Sequence, residues 1–500
     1  MSETKLVERQ TNVRQRRKSS FARDLLKLLS GAMFAQLFSV LVAPILTRLY
    51  APEAFGVLAV FLSIIAVPGE IACLGYDRAI MLPEKDEESA NLLMISLGFV
   101  ALVTGLSIVV IWLGTETITR LLRTPELAPY MWLVPPLILL TGVFTALSQW
   151  TARSKRFGQL SIARISNTTI TTGMPLGAGL LGYATSLSLI VGYTFGTLAA
   201  MLWLALRVLR SDIGLFRHDL HKQDILSRVK RYRKFPLYDT PATLLNSISW
   251  QLPTFFLAAF FSPAVTGFYA LGNRVLRLPM NLLGSSLGQV FYQRATEDHQ
   301  QGILPVFVES TFGRLVSYGL FPMLILAIIG RDLFTVVFGS QWAEAGTYTQ
   351  ILSIWTFFWF VSSPLSTLYY VLEKQDFFLK LNVAIIVTRA VSLGIGGYLG
   401  SARLALALFA ASGIVVYGYL GLFIVAASGV PWKRIFTILG FYFLLFVPAG
   451  VILIALNVAH ASRVIELIVA FVFSGMYLMY IFFNDPKINH AFRRLWFGSR

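Results

Sequence analysis

Apolar runs of about twenty residues recur from Leu25 to Phe483, separated by short joints rich in Gly, Pro and charged residues. At 1.5 Å per residue in a helix, a run of that length crosses the ~30 Å hydrocarbon core of a bilayer. The pattern predicts an all-α polytopic membrane protein with fourteen spans: 25–49, 55–75, 91–113, 130–150, 162–183, 186–207, 238–261, 265–288, 303–329, 346–371, 378–400, 404–427, 435–457 and 463–483. An even count puts both ends of this chain on the same side.

One stretch departs from simple apolarity. Between Phe235 and Ala295, two predicted helices meet at Phe261-Ser262-Pro263-Ala264, and the second carries Arg274 and Arg277 inside its apolar run. With Asn281 and Ser285 these arginines form a polar stripe at spacings of three and four. Arg277 lies about 15 Å along the helix from Gly267, close to the bilayer midplane. An arginine in mid-span costs roughly 2.5–3.5 kcal/mol on insertion scales, so such a residue turns toward a polar cavity or a partner.

The same stretch repeats an earlier one. A shift of 211 residues places Tyr50-Ala51-Pro52 on Phe261-Ser262-Pro263 and pairs Leu46 with Leu257, Gly56 with Gly267, Ala59 with Ala270 and Pro68 with Pro279, without a gap. This is a sign of internal duplication. Ser63 and Ala66 stand where the copy has Arg274 and Arg277. Spans 1–2 match spans 7–8 with an even number of spans between starts, so the two six-helix lobes run parallel. That implies a pseudo-two-fold axis along the membrane normal, with a cavity where the lobes meet. The expected organisation is a basic cytoplasmic tail at 1–24, a first lobe at 25–207, a basic linker at 208–236, a second lobe at 237–427, two further helices at 428–483 and a cytoplasmic tail at 484–500. The linker repeats apolar residues at helical spacing and is expected along the inner membrane surface.

Composition agrees: 56% of the 500 residues are hydrophobic and 13% charged, which excludes an ordinary soluble domain. The apolar run from Leu25 is too long for a cleaved signal peptide and reads as an uncleaved first span. Cys73 is the one cysteine, so no intramolecular disulfide forms, and the five histidines show no metal-ligand spacing. Of the 42 lysines and arginines, 32 fall on the side of the termini and six on the other; four (Arg274, Arg277, Arg314, Arg389) lie within spans. That bias places both termini in the cytoplasm. The net charge of +17 then reflects topology and contact with anionic headgroups of membrane lipids. No folded basic module for nucleic acid is visible.

The run LLSGAMFAQLFSVLVAPILTRLYAPEAFGVLAVF, the YDRAIMLP after span 2, and RKFPLYDTPATLLNSISWQLP with TGFYALGNRVLRLPMNLLG together resemble bacterial oligosaccharide flippases of the multidrug/oligosaccharidyl-lipid/polysaccharide exporter superfamily. The resemblance implies alternating-access transfer of undecaprenyl-pyrophosphate-linked oligosaccharide from the inner to the outer leaflet of the cytoplasmic (inner) membrane. The units would feed O-antigen, capsule or exopolysaccharide assembly, with the polysaccharide polymerase machinery as a candidate partner and no cofactor.

The residues fit an anionic cargo. Guanidinium groups pair well with phosphate oxygens, so Arg274, Arg277, Asn281, Arg314 and Arg389 are the candidate substrate-binding set. The competing reading pairs each arginine with a buried acid or a headgroup. Glu70, Asp239 and Glu309, near cytoplasmic helix ends, are candidate ion-coupling residues, since a carboxylate in a low dielectric can titrate near neutrality; structural pairing with arginine competes. Asp77 and Arg78 read as a charged inner gate or a helix-end contact. No GxxxxGK phosphate loop is present, so this chain does not hydrolyse ATP by that device. No catalytic or metal site is expected, and the protein reads as a carrier rather than an enzyme. A flippase for the peptidoglycan lipid precursor shares the pyrophosphate logic. A membrane polymerase or ligase would need a large outer loop, and the outer loops here are short.

Overall fold

The computed structural model describes residue 31 and residues 33–218 and 222–484. The basic tail at 1–24 and most of the tail at 484–500 lie outside the described residues. Helices account for nearly all of the rest, and no strand is found among the described residues. In chain order they are α1 (Met33–Leu49), α2 (Pro52–Ile71), α3 (Tyr76–Ala79), α4 (Asp86–Leu121), α5 (Val134–Arg153), α6 (Phe157–Leu180), α7 (Ser186–His218), α8 (Lys222–Arg231), α9 (Thr240–Phe260), α10 (Pro263–Leu276), α11 (Leu278–Gln300), α12 (Leu304–Phe338), α13 (Ala343–Leu365), α14 (Leu368–Val371), α15 (Gln375–Tyr398), α16 (Ala402–Ala427), α17 (Trp432–Val458) and α18 (Arg463–Asn484).

Ten helices among the described residues are long and apolar enough to cross a membrane. The other four expected spans fall on α1, α6, α9 and the α10–α11 pair. Polar residues dilute three of these: Arg164 and Asn167 on α6, Asn246 and Gln251 on α9, Arg274 on α10. The expected single helix over 265–288 is corrected: the chain breaks at Arg277 and runs on to Gln300. Large apolar side chains point outward, with Trp112 at 82% and Phe471 at 80% exposure. Lipid, not water, suits such a surface. The 36-residue α4 spans about 54 Å, longer than the bilayer with its headgroups.

The chain divides into two compact units, Met1–Thr266 and Gly267–Arg500. The boundary falls within α10, so α9 groups with the first unit. There α9 packs on α2, α2 on α5, α4 on α5, and α6 on α7. Phe61, Tyr76, Leu92 and Trp150 are buried in its core. Gly142 on α5 sits so close to α4 that an added Cβ would come within 2.8 Å of Val100. Part of the linker at 208–236 continues α7. Asp212 is buried there and accepts hydrogen bonds from Trp150 Nε1 (2.8 Å) and from Arg156 (2.8 Å). The basic α8 is tied to α4 by Arg228–Glu88 at 2.6 Å. This linker is thus held on the first unit by buried and half-buried acids rather than by membrane contact alone.

In the second unit α12 packs on α13, α13 on α16, and α15 on α16. The backbones of α12 and α13 approach at Gly330 and Gly346, where either added Cβ would collide with the facing helix. Small residues permit such close approach in membrane helices. α13 is the most enclosed span, with 61% of its apolar window buried, against 22% for each of α17 and α18. These last two lie on the periphery, where Phe446 and Tyr477 pack on Phe321 of α12. Helix positions also echo along the chain: α5 starts at Val134 and α13 at Ala343, α1 ends at Leu49 and α9 at Phe260.

Candidate functional site

The break between α10 and α11 follows from Pro279. A proline lacks the N–H for the helical ladder, and its ring clashes with the carbonyl four residues earlier. Arg277 caps the break with φ −80° and ψ −9°, its N–H donating to Asn273 O at 3.0 Å. Its guanidinium lies over the ring of Trp359 on α13, 5.5 Å from the centroid. Trp359 in turn stacks on Trp355, one turn away, at 6.2 Å and 11°. A Cβ at Gly413 of α16 would collide with the Trp355 indole, so that glycine is what lets α16 approach.

Arg389 on α15 is 4% exposed. Its Nη2 donates to the Tyr417 hydroxyl on α16 at 2.8 Å, and its guanidinium sits 5.7 Å from the Phe409 ring centroid. Arg277 and Arg389 lie within each other's field, and Tyr269 and Tyr417 lie within the field of both. α10, α13, α15 and α16 therefore gather two guanidinium groups, two phenols and two indoles. Like charges in a low-dielectric interior raise each other's energy, and an anion placed between them relieves that cost.

Arg274 lies one turn before Arg277, with an exposed side chain. Asn281 is in the first turn of α11, and its side chain lies outside the described residues. Arg314 is half-buried on α12, which also packs on α17 and α18. Tyr269, Trp359 and Tyr417 escaped the sequence reading. Tyr269 carried a usable signal, since it precedes Arg277 by eight residues and so shares its face. Tyr417 carried none, because its pairing with Arg389 depends on how two separate helices pack.

The first unit holds a different charged centre. Gly75, at φ +75°, turns the chain from α2 into α3. An added Cβ there would lie 3.2 Å from both Asp239 Oδ2 and Phe235 Cβ, so the turn needs glycine twice over. It delivers Arg78 Nη1 to 2.7 Å from both oxygens of Asp239. Glu70 lies 4.0 Å from Arg78 Nη2. Asp239 ends a single π-helical turn, Phe235–Asp239. Asp77 points inward at 7% exposure; burial pushes its carboxyl above the usual range, with Arg78 pulling the other way. Tyr76 anchors the corner, donating to Val229 O at 3.1 Å and stacking on Phe99. The structure thus joins Glu70, Arg78 and Asp239 into one ion-pair group beside Asp77. Glu309 stands apart, 3.9 Å from Arg434. No cluster of three or more metal-ligating side chains occurs among the described residues.

Known proteins resemble this chain in sequence and in fold. Residues 45–347 match the model of the family described as polysaccharide biosynthesis protein. The succinoglycan biosynthesis transport protein ExoT of Rhizobium meliloti (strain 1021) is 25% identical over 322 residues, covering 62% of this chain. The match spans 61% of that relative's length. Among solved structures, the lipid II flippase MurJ in an inward closed conformation superposes with a TM-score of 0.67 at 13% identity, covering 90% of this chain and 98% of that one. An inward-facing multidrug resistance MATE family transporter of the MOP superfamily gives 0.62 at 13% identity, over 81% and 98%. These likenesses establish a shared all-helical transporter fold. The family match covers more than half of the sequence: the chain is a multi-pass membrane protein that belongs to the polysaccharide biosynthesis protein family.

Proposed function

We propose that this protein is a flippase that carries polyprenyl-pyrophosphate-linked oligosaccharide from the inner to the outer leaflet of the cytoplasmic membrane, by alternating access, for O-antigen, capsule or exopolysaccharide assembly. The observation that carries the reading is the Arg277–Arg389 cluster with its tyrosines and indoles, inside the membrane-spanning part of a polysaccharide-family protein. Guanidinium forks suit pyrophosphate oxygens, and indole faces suit the apolar faces of sugar rings. A transporter of cationic drugs would be ill served by two arginines in one field. Arg274, Arg314 and Asn281 extend the candidate set along the same and neighbouring helices. The protein acts as a carrier and no cofactor takes part.

The rest of the proposal follows from the sequence. Fourteen spans form two parallel six-helix lobes, 25–207 and 237–427, with α17 and α18 added. Both termini face the cytoplasm, in keeping with the 32-to-6 split of basic residues. Glu70, Arg78 and Asp239 then close the cytoplasmic corner as a charged lock, with Asp77 or Glu309 as the carboxylate that couples an ion. Polymerase machinery would receive the product. The test is flipping of a polyprenyl-pyrophosphate-linked oligosaccharide by the purified protein in sealed vesicles, read by the accessibility of the sugar to an added enzyme. Wild type should flip without ATP, and Arg277→Ala should be inserted, folded and inactive. Full activity of the Arg277→Ala, Arg389→Ala double variant would overturn the proposal.

A further inference from the structure

α6 and α7 run antiparallel in one register. At one end Arg156, just before α6, donates to both oxygens of Asp212 on α7 at 2.8 Å. Further along, a Cβ added at Gly196 would collide with Thr171, and one added at Gly192 with Pro175. That register sets Arg164, about 12 Å along the axis from Arg156, level with Trp203 of α7. Arg164 sits on the packed side of α6. Leu160 and Pro175, which share its face, are buried, whereas Ile162 and Leu180 on the opposite face are 45% and 67% exposed. Arg164 is exposed all the same, with protein close enough to take part of its water. Its guanidinium therefore stands in a recess of the protein and not on the lipid face.

Among the described residues the Arg164 side chain has no ion pair and no hydrogen bond. Arg207, one turn after Trp203, lies over that indole at 4.6 Å from the ring centroid and meets no carboxylate among the described residues. Trp203 Nε1 is a buried donor without an acceptor. α6 carries no acid, and the single acid of α7, Asp212, is taken up by Trp150 and Arg156. Arg78, Arg153, Arg156 and Arg228 of the same unit each meet a carboxylate, so Arg164 and Arg207 stand out. Donors gathered without an acceptor call for an anion with several oxygens, and an ionisable residue left within a span marks a ligand path.

We propose that Arg164, Trp203 and Arg207 form a second phosphate-binding station, in the first unit, for the lipid-linked substrate, an inference that rests on the flippase reading. Charge selects the pyrophosphate over the headgroup of an ordinary phospholipid. A diphosphate esterified at both ends keeps one ionised oxygen on each phosphorus, which matches two guanidinium groups without a carboxylate. A phospholipid phosphodiester offers only one negative charge. The station lies toward the Arg156 end of α6, the end that the bias of basic residues assigns to the cytoplasm. It would take the pyrophosphate as the substrate leaves the inner leaflet.

The experiment is photolabelling of the full-length protein in phosphatidylcholine nanodiscs. The probe is a polyprenyl diphosphate without sugar, carrying a diazirine on its first isoprene unit. It should label peptides of α6 and α7, and unlabelled polyprenyl diphosphate should displace it while excess phosphatidylglycerol does not. Arg164→Gln combined with Arg207→Gln should cut that labelling at least tenfold and leave labelling of the second unit unchanged. If the pair fails to fold, Arg207→Gln alone, at an exposed position, should still cut it several-fold. Arg164→Leu without ligand should hold or raise the melting temperature, since no partner is lost and a charge leaves a span. A lowered melting temperature would show that Arg164 braces the fold and would overturn the station. Labelling that survives the glutamine variants, or phosphatidylglycerol that displaces the probe as well as polyprenyl diphosphate does, would overturn it too. Labelling needs no transport, so wild type that labels here but flips nothing would sink the flippase reading alone. A double variant that flips at the wild-type rate would sink the station alone.

Discussion

The two charged centres use arginine in opposite ways. In the first unit Arg78 meets carboxylates, with both oxygens of Asp239 at 2.7 Å and Glu70 at 4.0 Å, all of them partly exposed. In the second, the neighbours on view around Arg277 and Arg389 are an indole, two phenols, a phenyl ring and each other. An arginine held by acids at a helix end is a clasp whose charge is already met, worth about 1 kcal/mol or less when exposed. Arginines set among rings and hydroxyls within a span bring positive charge to a place where an anion would have to cross. The sequence match at a shift of 211 residues sharpens this contrast. Where α10 carries Arg274, the matched α2 carries Ser63, which bonds to Gln251 and asks for no anion.

The largest effect should come from Arg277→Ala. Loss of a charge-assisted contact, about 1.5–3 kcal/mol, corresponds to roughly a 10- to 100-fold drop in substrate affinity, measured as flipping rate at limiting substrate or as lost complementation of a flippase-deficient strain. Arg277→Lys should keep part of the activity, because the charge stays and the fork is lost. Ser63→Arg added to Arg277→Ala should not restore it, since the charge then sits in the wrong copy of the repeat.

Next in size is Tyr417→Phe. It leaves a buried Arg389 donor without the hydroxyl it now has, at a cost of about 1–3 kcal/mol, visible as a lowered melting temperature and a several-fold weaker affinity. An unchanged melt would mean that the Arg389–Tyr417 bond is not formed in the membrane.

Arg78→Ala should be milder, about 1 kcal/mol or less in stability. As the clasp opens, the buried Cys73, whose thiol is directed to Gly142 O at 3.6 Å, should react several-fold faster with a membrane-impermeant maleimide. If Arg78→Ala abolished flipping as fully as Arg277→Ala, the distinction between clasp and binding site would collapse.

The smallest effect is the pH response of Asp77. Its carboxyl is pushed up by burial, so the folded protein holds the proton more tightly than the unfolded chain. Stability should therefore fall as pH rises from about 4, the ordinary aspartate value, through the raised one, and level off above it. Asp77→Asn should flatten that slope in melts recorded across the range. A slope that persists in Asp77→Asn would assign it to another group.

The residues alone determined the all-helical membrane-spanning class and the family, because each rests on local or periodic properties. Twenty apolar residues span a bilayer wherever they occur, and Pro68 and Pro279 recur at one offset regardless of packing. The sequence also marked Arg277 and Arg389 as costly and hence informative. It did not show that they belong together, because 112 positions and four helices separate them. Only packing decides which faces meet. Three further features were settled by tertiary structure. Pro279 breaks its helix at Arg277, and α2 ends at Ile71 soon after the matching Pro68. Glu70, Arg78 and Asp239 converge because Gly75 turns the chain through a positive φ and leaves no Cβ in the way. An apolar groove lined by Val67 of α2, Leu106 and Val110 of α4 and Phe255 of α9 is a gap between elements, and a gap has no sequence of its own.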